Sequence, residues 1–261
     1  MELIKKQIHM NQWKGNVTTQ ITLDDDFIVP DTLDDMEQVM LDTGEIQIET
    51  VKNQGDKVAV KGKLEFQVLY RKESGGLQTL GGNIPFEEVV NVQGLEEKDY
   101  VGLNWMLEDL NTDMINSRKL GVQAIITLQV RVETLRDVEA AVDVDMENNS
   151  RPAGAGMSDT DGAGQVQVET LKRTANAAAI AVRRKDTYRI KEELSLTGGK
   201  PNIGQLLWRE MKLRDVTAKP LDGRLHLDGE LSVFVIYGAE DENMPVQWLE
   251  ETIPFSGDME M

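Results

Sequence analysis

Along most of the chain, apolar and polar residues alternate with a period of two. Val58, Val60, Leu64, Phe66, Val68 and Tyr70 fall on one side of an extended backbone, and Lys61, Lys63, Glu65 and Gln67 fall on the other. That is the signature of a strand with one face in a core and one in water. Val122, Ala124, Ile126, Leu128, Val130 and Val132 repeat it against Gln123, Thr127, Gln129, Arg131 and Glu133. Val138, Ala140, Val142 and Val144 continue it, and Ile84, Phe86, Val90 and Val92 show it more briefly. Turn-forming residues break the runs at Asn53-Gln54-Gly55-Asp56, Ser74-Gly75-Gly76, Gly81-Gly82-Asn83 and Asn116-Ser117. The pattern predicts a mainly β protein built of antiparallel strands. One stretch departs from it: over Asp31 to Leu41, Leu33, Met36 and Met40 share a helical face and Asp31 or Asp34 stands ready to cap the first turn. A short helix is expected there.

The pattern occurs twice. At an offset of 167 residues, the segment from Lys57 to Tyr70 lies over the segment from Arg224 to Tyr237, with Gly62 over Gly229, Leu64 over Leu231, Val68 over Val235 and Tyr70 over Tyr237. The same offset sets Leu23 to Val29 over Ile190 to Leu196, and Met36 to Met40 over Ile203 to Leu207, so the second short helix is expected from Pro201-Asn202-Ile203. After two added residues, Ile84-Pro85-Phe86 answers Ile253-Pro254-Phe255. The expected organisation is two tandem antiparallel β-sandwich-like domains, each with a short helix. Residues 1–147 form the first, 148–165 a flexible linker rich in Gly, Ala, Asn, Asp and Ser, and 166–261 the second. Met261 falls opposite Val92, so the second domain is expected to be incomplete, as in the front part of a longer protein. The run from Ala175 to Val182 has helical propensity at a place where the repeat calls for extended chain, which leaves its conformation open.

Charge narrows the partners. The chain carries 46 acidic and 28 basic side chains in 261 residues, for a net charge of −18. Nucleic acid and anionic membrane surfaces, which need a cationic footprint, are excluded as expected partners. The acidity is concentrated in residues 1–147, with 28 acidic against 14 basic side chains. With no cysteine, disulfides, thiolate metal sites and cysteine nucleophiles are ruled out. The N-terminus lacks an apolar core like that of a signal peptide, and no segment approaches the ~18 apolar residues of a helical span, so a cytosolic location without membrane insertion is expected.

Candidate chemistry is sparse. His9 and His226 lack metal-ligand spacing, and His226 lies on the polar side of its strand. Gly154-Ala155-Gly156 lacks the flanking strand and helix of a phosphate loop, and Asp159-Thr160-Asp161-Gly162 lacks the closing Glu of a calcium loop, since position 168 is Val. The densest charged feature is Asp24, Asp25 and Asp26 with Asp31, Asp34 and Asp35. Its repeat counterpart, Lys191-Glu192-Glu193 and Pro201-Asn202, does not preserve the carboxylates, which argues against shared acid–base chemistry. Asp24, Asp25, Asp26, Asp34 and Asp35 are therefore read chiefly as solvated strand ends and helix caps, with an acidic docking patch for a basic partner as the functional alternative. Core or boundary packing is the default for the scattered tryptophans Trp13, Trp105, Trp208 and Trp248, and Trp208, where exposed on the expected second helix, is the candidate interface anchor. No catalytic residue, cofactor or metal site is expected.

The order of these features is similar to that of a known domain. An acidic-apolar strand, a short helix ending in an apolar pair (Gln38-Val39-Met40, Gln205-Leu206-Leu207), a strand with internal Gly and terminal Tyr (Gly62 to Tyr70, Gly229 to Tyr237) and then Ile-Pro-Phe resembles the SPOCS domain of endospore-forming Firmicutes. Lys200-Pro201-Asn202-Ile203 fits the Lys-Pro-Asp-Ile-like stretch of family copies well, and Leu33-Asp34-Asp35-Met36 fits it in part. Arg118-Lys119-Leu120-Gly121-Val122 resembles the start of the family's second hairpin. The resemblance implies a non-enzymatic scaffold or protein-interaction module of spore coat or envelope assembly, in the mother-cell cytosol at the forespore surface. It implies protein partners from the coat or forespore surface, and a C-terminal LysM domain following several such repeats. The alternative it leaves is a peptidoglycan-binding envelope protein, with these domains as spacers and murein contacted only through LysM.

Overall fold

The computed structural model describes residues 2–145, 171, 173–174, 186–196, 198–240 and 245–260. The expected linker, the two glycine motifs within it and the alanine-rich run from Ala175 to Val182 lie outside them. Nine strands follow in chain order: β1 (Glu2–Ile28), β2 (Met36–Asn53), β3 (Lys57–Lys72), β4 (Leu77–Asn91), β5 (Tyr100–Asn116), β6 (Lys119–Asp145), β7 (Ile203–Leu221), β8 (Arg224–Ala239) and β9 (Val246–Glu260). They form three antiparallel sheets of three strands, ordered β1-β6-β5, β2-β3-β4 and β7-β8-β9.

The first two sheets make a sandwich. Alternation places Leu120, Val122, Ala124, Ile126, Leu128, Val130 and Val132 of β6 on one inner face, and Val58, Val60, Leu64, Phe66, Val68 and Tyr70 of β3 on the other, and all belong to one buried cluster. Burial of these side chains is the main stabilising term, worth about 1.5–3 kcal/mol for each large one. The two sheets are interleaved in sequence. β1 crosses from the first sheet to β2 in the second, and the chain returns to the first sheet with β5.

The expected helix at Asp31 to Leu41 does not form; residues 31–33 make a turn and Met36 opens β2. The reason lies in two register shifts, between Met36 and Gln38 and between Val39 and Leu41. A β-bulge inserts one residue and reverses the side-chain phase. Two of them, three residues apart, convert period two into a spacing that imitates a helical face. The second copy repeats the device, with shifts between Ile203 and Gln205 and between Leu206 and Trp208, so its expected helix is likewise strand β7.

The 167-residue offset is exact in three dimensions: β7 begins 167 residues after β2, and β8 both begins and ends 167 after β3. Gly62 and Gly229 have the same role in both copies. Each stands opposite a phenylalanine, Phe86 or Phe255, whose ring lies over the glycine. A Cβ on Gly62 would come 2.8 Å from the Phe86 ring and 2.7 Å from the Gln47 carbonyl oxygen. Gly82 does the same for Phe66, which meets Phe27 edge-on at 4.5 Å. These glycines are sites of close aromatic cover, as in the aromatic rescue of strand glycines.

Among the described residues the second copy has one sheet where the first has two. Its β1-equivalent stretch, residues 186–196, joins no ladder.

One bulge serves the sandwich directly. Trp13 and Gly15 face consecutive residues of β6, leaving Lys14 as the extra residue. It turns toward Asp99, 2.7 Å away and buried, and Glu96, 2.8 Å away. Burial pushes the Asp99 carboxyl up, but the Lys14 ammonium and the Glu96 amide outweigh it and hold it below its ordinary value.

Gly62→Ala is expected to lower stability by about 1–3 kcal/mol through the clash with Phe86 and Gln47. Urea unfolding followed by tryptophan fluorescence measures it, and an unchanged midpoint would refute the aromatic-cover role.

Candidate functional site

The acidic residues separate into two groups once the chain folds. Asp31, Asp34 and Asp35 lie in the crossing between the two sheets of the sandwich, and Arg118, at the turn into β6, gathers that crossing. Its guanidinium donates to the carbonyls of Leu33 and Val29, both at 2.9 Å, and to Asp35 and Asp31, both at 3.0 Å. Backbone bonds run alongside, from Val29 N to Arg118 O and from Met36 N to Ser117 O. Asp34 pairs with Lys72 at 3.0 Å and accepts from Ser74, and these hold its carboxyl below the ordinary value. Asp34 and Asp35 thus have local cationic partners and work chiefly as a joint. Arg118 gave no local signal in the sequence, because its acceptors lie more than 80 residues upstream.

Asp24, Asp25 and Asp26 sit on β1, an edge strand. Lys119 pairs with Asp26 at 2.5 Å, and Gln123 donates to Asp24 at 3.2 Å. Asp25 has the register of the inward residues, opposite Val122, yet stays exposed and accepts the Asp26 amide at 2.8 Å. A charge at an inward register on an edge strand discourages pairing with another strand.

Tyr70 and Tyr237 hold equivalent corners. The Tyr70 hydroxyl donates to the Asp34 carbonyl at 3.0 Å and the Tyr237 hydroxyl to the Pro201 carbonyl at 3.2 Å, and both acceptors obey the 167-residue offset. Each ties the end of a central strand to the segment leading into the first strand of its sheet.

Trp208 is neither helical nor exposed. It follows the second bulge of β7 and is 3% exposed, packed with Leu207 against Leu69 of β3, with Leu77, Phe234 and Ile236 around them. The Thr79 hydroxyl donates to the Leu207 carbonyl at 2.5 Å. The second and third sheets therefore meet through their outer sides, where a groove of about 410 Å³ is lined by Thr43, Glu45, Glu65, Gln67, Arg209 and Lys212. The first-copy equivalents of Leu207 and Trp208 are Met40 and Leu41, which stay 48% and 40% exposed.

The wet faces carry ion pairs, one across strands β3 and β4 and one along β3. Lys61 meets Glu87 at 2.8 Å and Lys63 meets Glu65 at 2.6 Å. On the third sheet, His226 Nδ1 lies 2.6 Å from Asp258 and Nε2 lies 3.2 Å from Asp228, with Ser256 Oγ 3.5 Å from Nε2 and Arg224 2.8 Å from Asp258. Sequence reasoning placed His226 on a polar face without its partners. Counting register from Gly229 opposite Phe255 would have found them, since it sets His226 opposite Asp258. Serine, histidine and aspartate adjoin here on an open, flat sheet. The group lacks the strong serine–histidine hydrogen bond and the convergent donors of a nucleophilic site, and acts as a salt-linked surface cluster. Asp258 first, then Asp228, raises the His226 pKa, and His226 lowers that of Asp258.

The SipL, SPOCS domain family model matches residues 35–115 and 202–261, together more than half of the sequence. The chain belongs to the SipL, SPOCS domain family. The two matched segments begin at equivalent points of the repeat, Asp35 and Asn202, and cover β2 to most of β5 in one copy and β7 to β9 in the other. Membership ties the chain to sporulation. No curated protein and no solved structure matches it. Among the described residues no helix is long and apolar enough to cross a membrane, and no cluster of His, Asp and Glu is arranged to hold a metal.

Two measurements test these roles. Arg118→Met is expected to cost about 2–3 kcal/mol, because it leaves the Val29 and Leu33 carbonyls without their charged donor; urea unfolding with an unshifted midpoint would refute the joint. For the His226–Asp258 pair, the raised histidine makes its stabilisation complete below the ordinary value of 6.5 and lost as pH rises through the folded value. The lowered aspartate makes it complete above 3.8 and lost as pH falls through the folded value. In an NMR titration the His226 ring should therefore titrate above pH 6.5, and Asp258→Asn should bring it back down.

Proposed function

We propose that this chain is a non-enzymatic protein-interaction module acting in endospore coat or envelope assembly. The observation that carries the proposal is the family match falling on both copies of the repeated sheet. The repeat supports a structural role, because what both copies preserve is architecture. The bulge positions, the glycine under an aromatic ring and the tyrosine corner recur, while ionisable residues on the wet faces change. Lys61 and Glu87 in one copy become Asp228 and Ser256 in the other. Reactions need fixed functional groups, whereas scaffolds need fixed surfaces.

Contact would run through surfaces that the sandwich leaves open. These are the exposed Met40–Leu41 pair, the Asp24–Asp25 edge of β1 and the uncovered parts of the third sheet. The acidic edge suits a basic partner, and its contribution falls with added salt.

Affinity capture with the tagged chain from sporulating cells at the stage of coat assembly is expected to recover coat or forespore-surface proteins. Asp24→Asn with Asp25→Asn should reduce that recovery several-fold while leaving the circular dichroism spectrum unchanged. Capture that enriches no coat or forespore-surface protein would overturn the proposal. Cosedimentation of this chain with purified peptidoglycan would favour a wall-binding protein.

A further inference from the structure

The contact between the two copies has a direction. β4 is the last strand of the sheet β2-β3-β4, β7 is the first strand of the sheet β7-β8-β9, and the two sheets meet where β4 approaches β7. The first copy contributes Leu69, Leu77 and the Thr79 hydroxyl, and the second contributes Leu207 and Trp208. A last-strand patch thus receives a first-strand patch. The two sides are unlike, which makes the contact heterologous, and a heterologous contact can be repeated from one unit to the next.

The repeat supplies both patches a second time. Leu207 and Trp208 correspond to Met40 and Leu41 on β2, an edge strand, and both stay exposed. Leu69 corresponds to Ile236 and, after the two added residues, Leu77 and Thr79 correspond to Val246 and Trp248 on β9, also an edge strand. Val246 is 38% exposed and Trp248 56% exposed. Among the described residues, the chain therefore mates one pair of patches and carries one more of each kind, a first-strand patch on β2 and a last-strand patch on β9.

The unmated patches match each other in size and chemistry. Register sets Leu41, Leu69 and Thr79 in one row across the first copy's sheet, and Trp208, Ile236 and Trp248 in one row across the second's. In the formed contact the first-strand side brings the large residue, Trp208, and the last-strand side the small one, Thr79. In the unmated pair the sizes are exchanged, with Leu41 on the first-strand side and Trp248 on the last-strand side. Thr79 donates to the Leu207 carbonyl, and Trp248 has an indole N–H at the equivalent position, so a donor is kept. The Lys200 ammonium, 4.6 Å from the centre of the Trp248 ring, adds a cation beside that patch, which suits the acidic first copy.

We propose that copies of this chain associate head to tail, with the Met40–Leu41 patch of one copy docked on the Ile236–Val246–Trp248 patch of a second copy. The occupant is the same chain because it already joins these two kinds of patch within itself. Each added copy leaves one patch of each kind open, so association continues past the dimer, closing into a ring or extending as a filament as the rotation between copies dictates. The inference rests on the assembly-module reading and deepens it by giving the Met40–Leu41 surface one partner.

Sedimentation velocity on the purified whole chain tests it. At about 100 μM the weight-average mass is expected to exceed that of two chains and to fall on dilution. Met40→Asp and Trp248→Asp, at exposed positions, should each give monomers. An equimolar mixture of the two variants should form one-to-one dimers and nothing larger, because one variant keeps the β9 patch and the other the β2 patch. Should either aspartate variant lose the circular dichroism spectrum of the wild type, Met40→Thr or Trp248→Thr takes its place, since threonine suits a strand. A chain that stays monomeric, an assembly that either variant leaves intact, or a mixture of folded variants that stays monomeric overturns the proposal. If self-association fails while coat or forespore-surface proteins are still captured from sporulating cells, the head-to-tail contact falls and the assembly role stands.

Discussion

The fold depends on one constraint, that strand backbone taken out of water must find its hydrogen-bond partners on a neighbouring strand. β1 satisfies its backbone only through β6, more than 90 residues further on, and the whole first sheet follows from that long-range pairing. An unpaired buried amide or carbonyl costs as much as a lost hydrogen bond. The sandwich therefore cannot be assembled piecewise from its hairpins. The crossing from β1 to β2 has to be fixed while β5 and β6 return to the first sheet, and Arg118 is placed where it fixes that crossing and starts β6 at once.

The repeat shows the same constraint from the other side. The β7-β8-β9 sheet forms because its ladders are local, each strand pairing with its neighbour in sequence. The segment equivalent to β1 has no such neighbour among the described residues, and it lies over the sheet without becoming a strand. Among the described residues, the two copies of nearly the same pattern thus differ in whether the first segment joins a ladder, and that depends on a long-range partner rather than on local preference.

Surface chemistry follows the same division. Carboxylates that looked like one acidic patch in the sequence divide between a joint, where Arg118 and Lys72 neutralise them, and an edge strand, where Asp24 and Asp25 remain open to water. Trp208 moves from a supposed exposed anchor to a buried contact between sheets because the bulge before it turns the side chain toward Leu69. In each case the residue type was evident, and its partner was brought from a distance.

The amino-acid sequence by itself determined most of the strands, the repeat and the inward rows of β3 and of β6 from Val122 to Val132, because period-two alternation and the 167-residue offset are local or translational properties that need no contact map; it missed that Gly81-Gly82-Asn83 lies within β4 and that Val138 and Val142 stay exposed. It also determined the family, through the same ordered features. Only the tertiary structure decided that the apparent helices are doubly bulged strands, since two phase reversals three residues apart copy the helical period in one dimension. It alone decided which acids are neutralised, where Trp208 points and which sheets pack face to face. Those outcomes depend on pairing between residues far apart in the chain, and alternation specifies which face of a strand is apolar without specifying what will be laid against it.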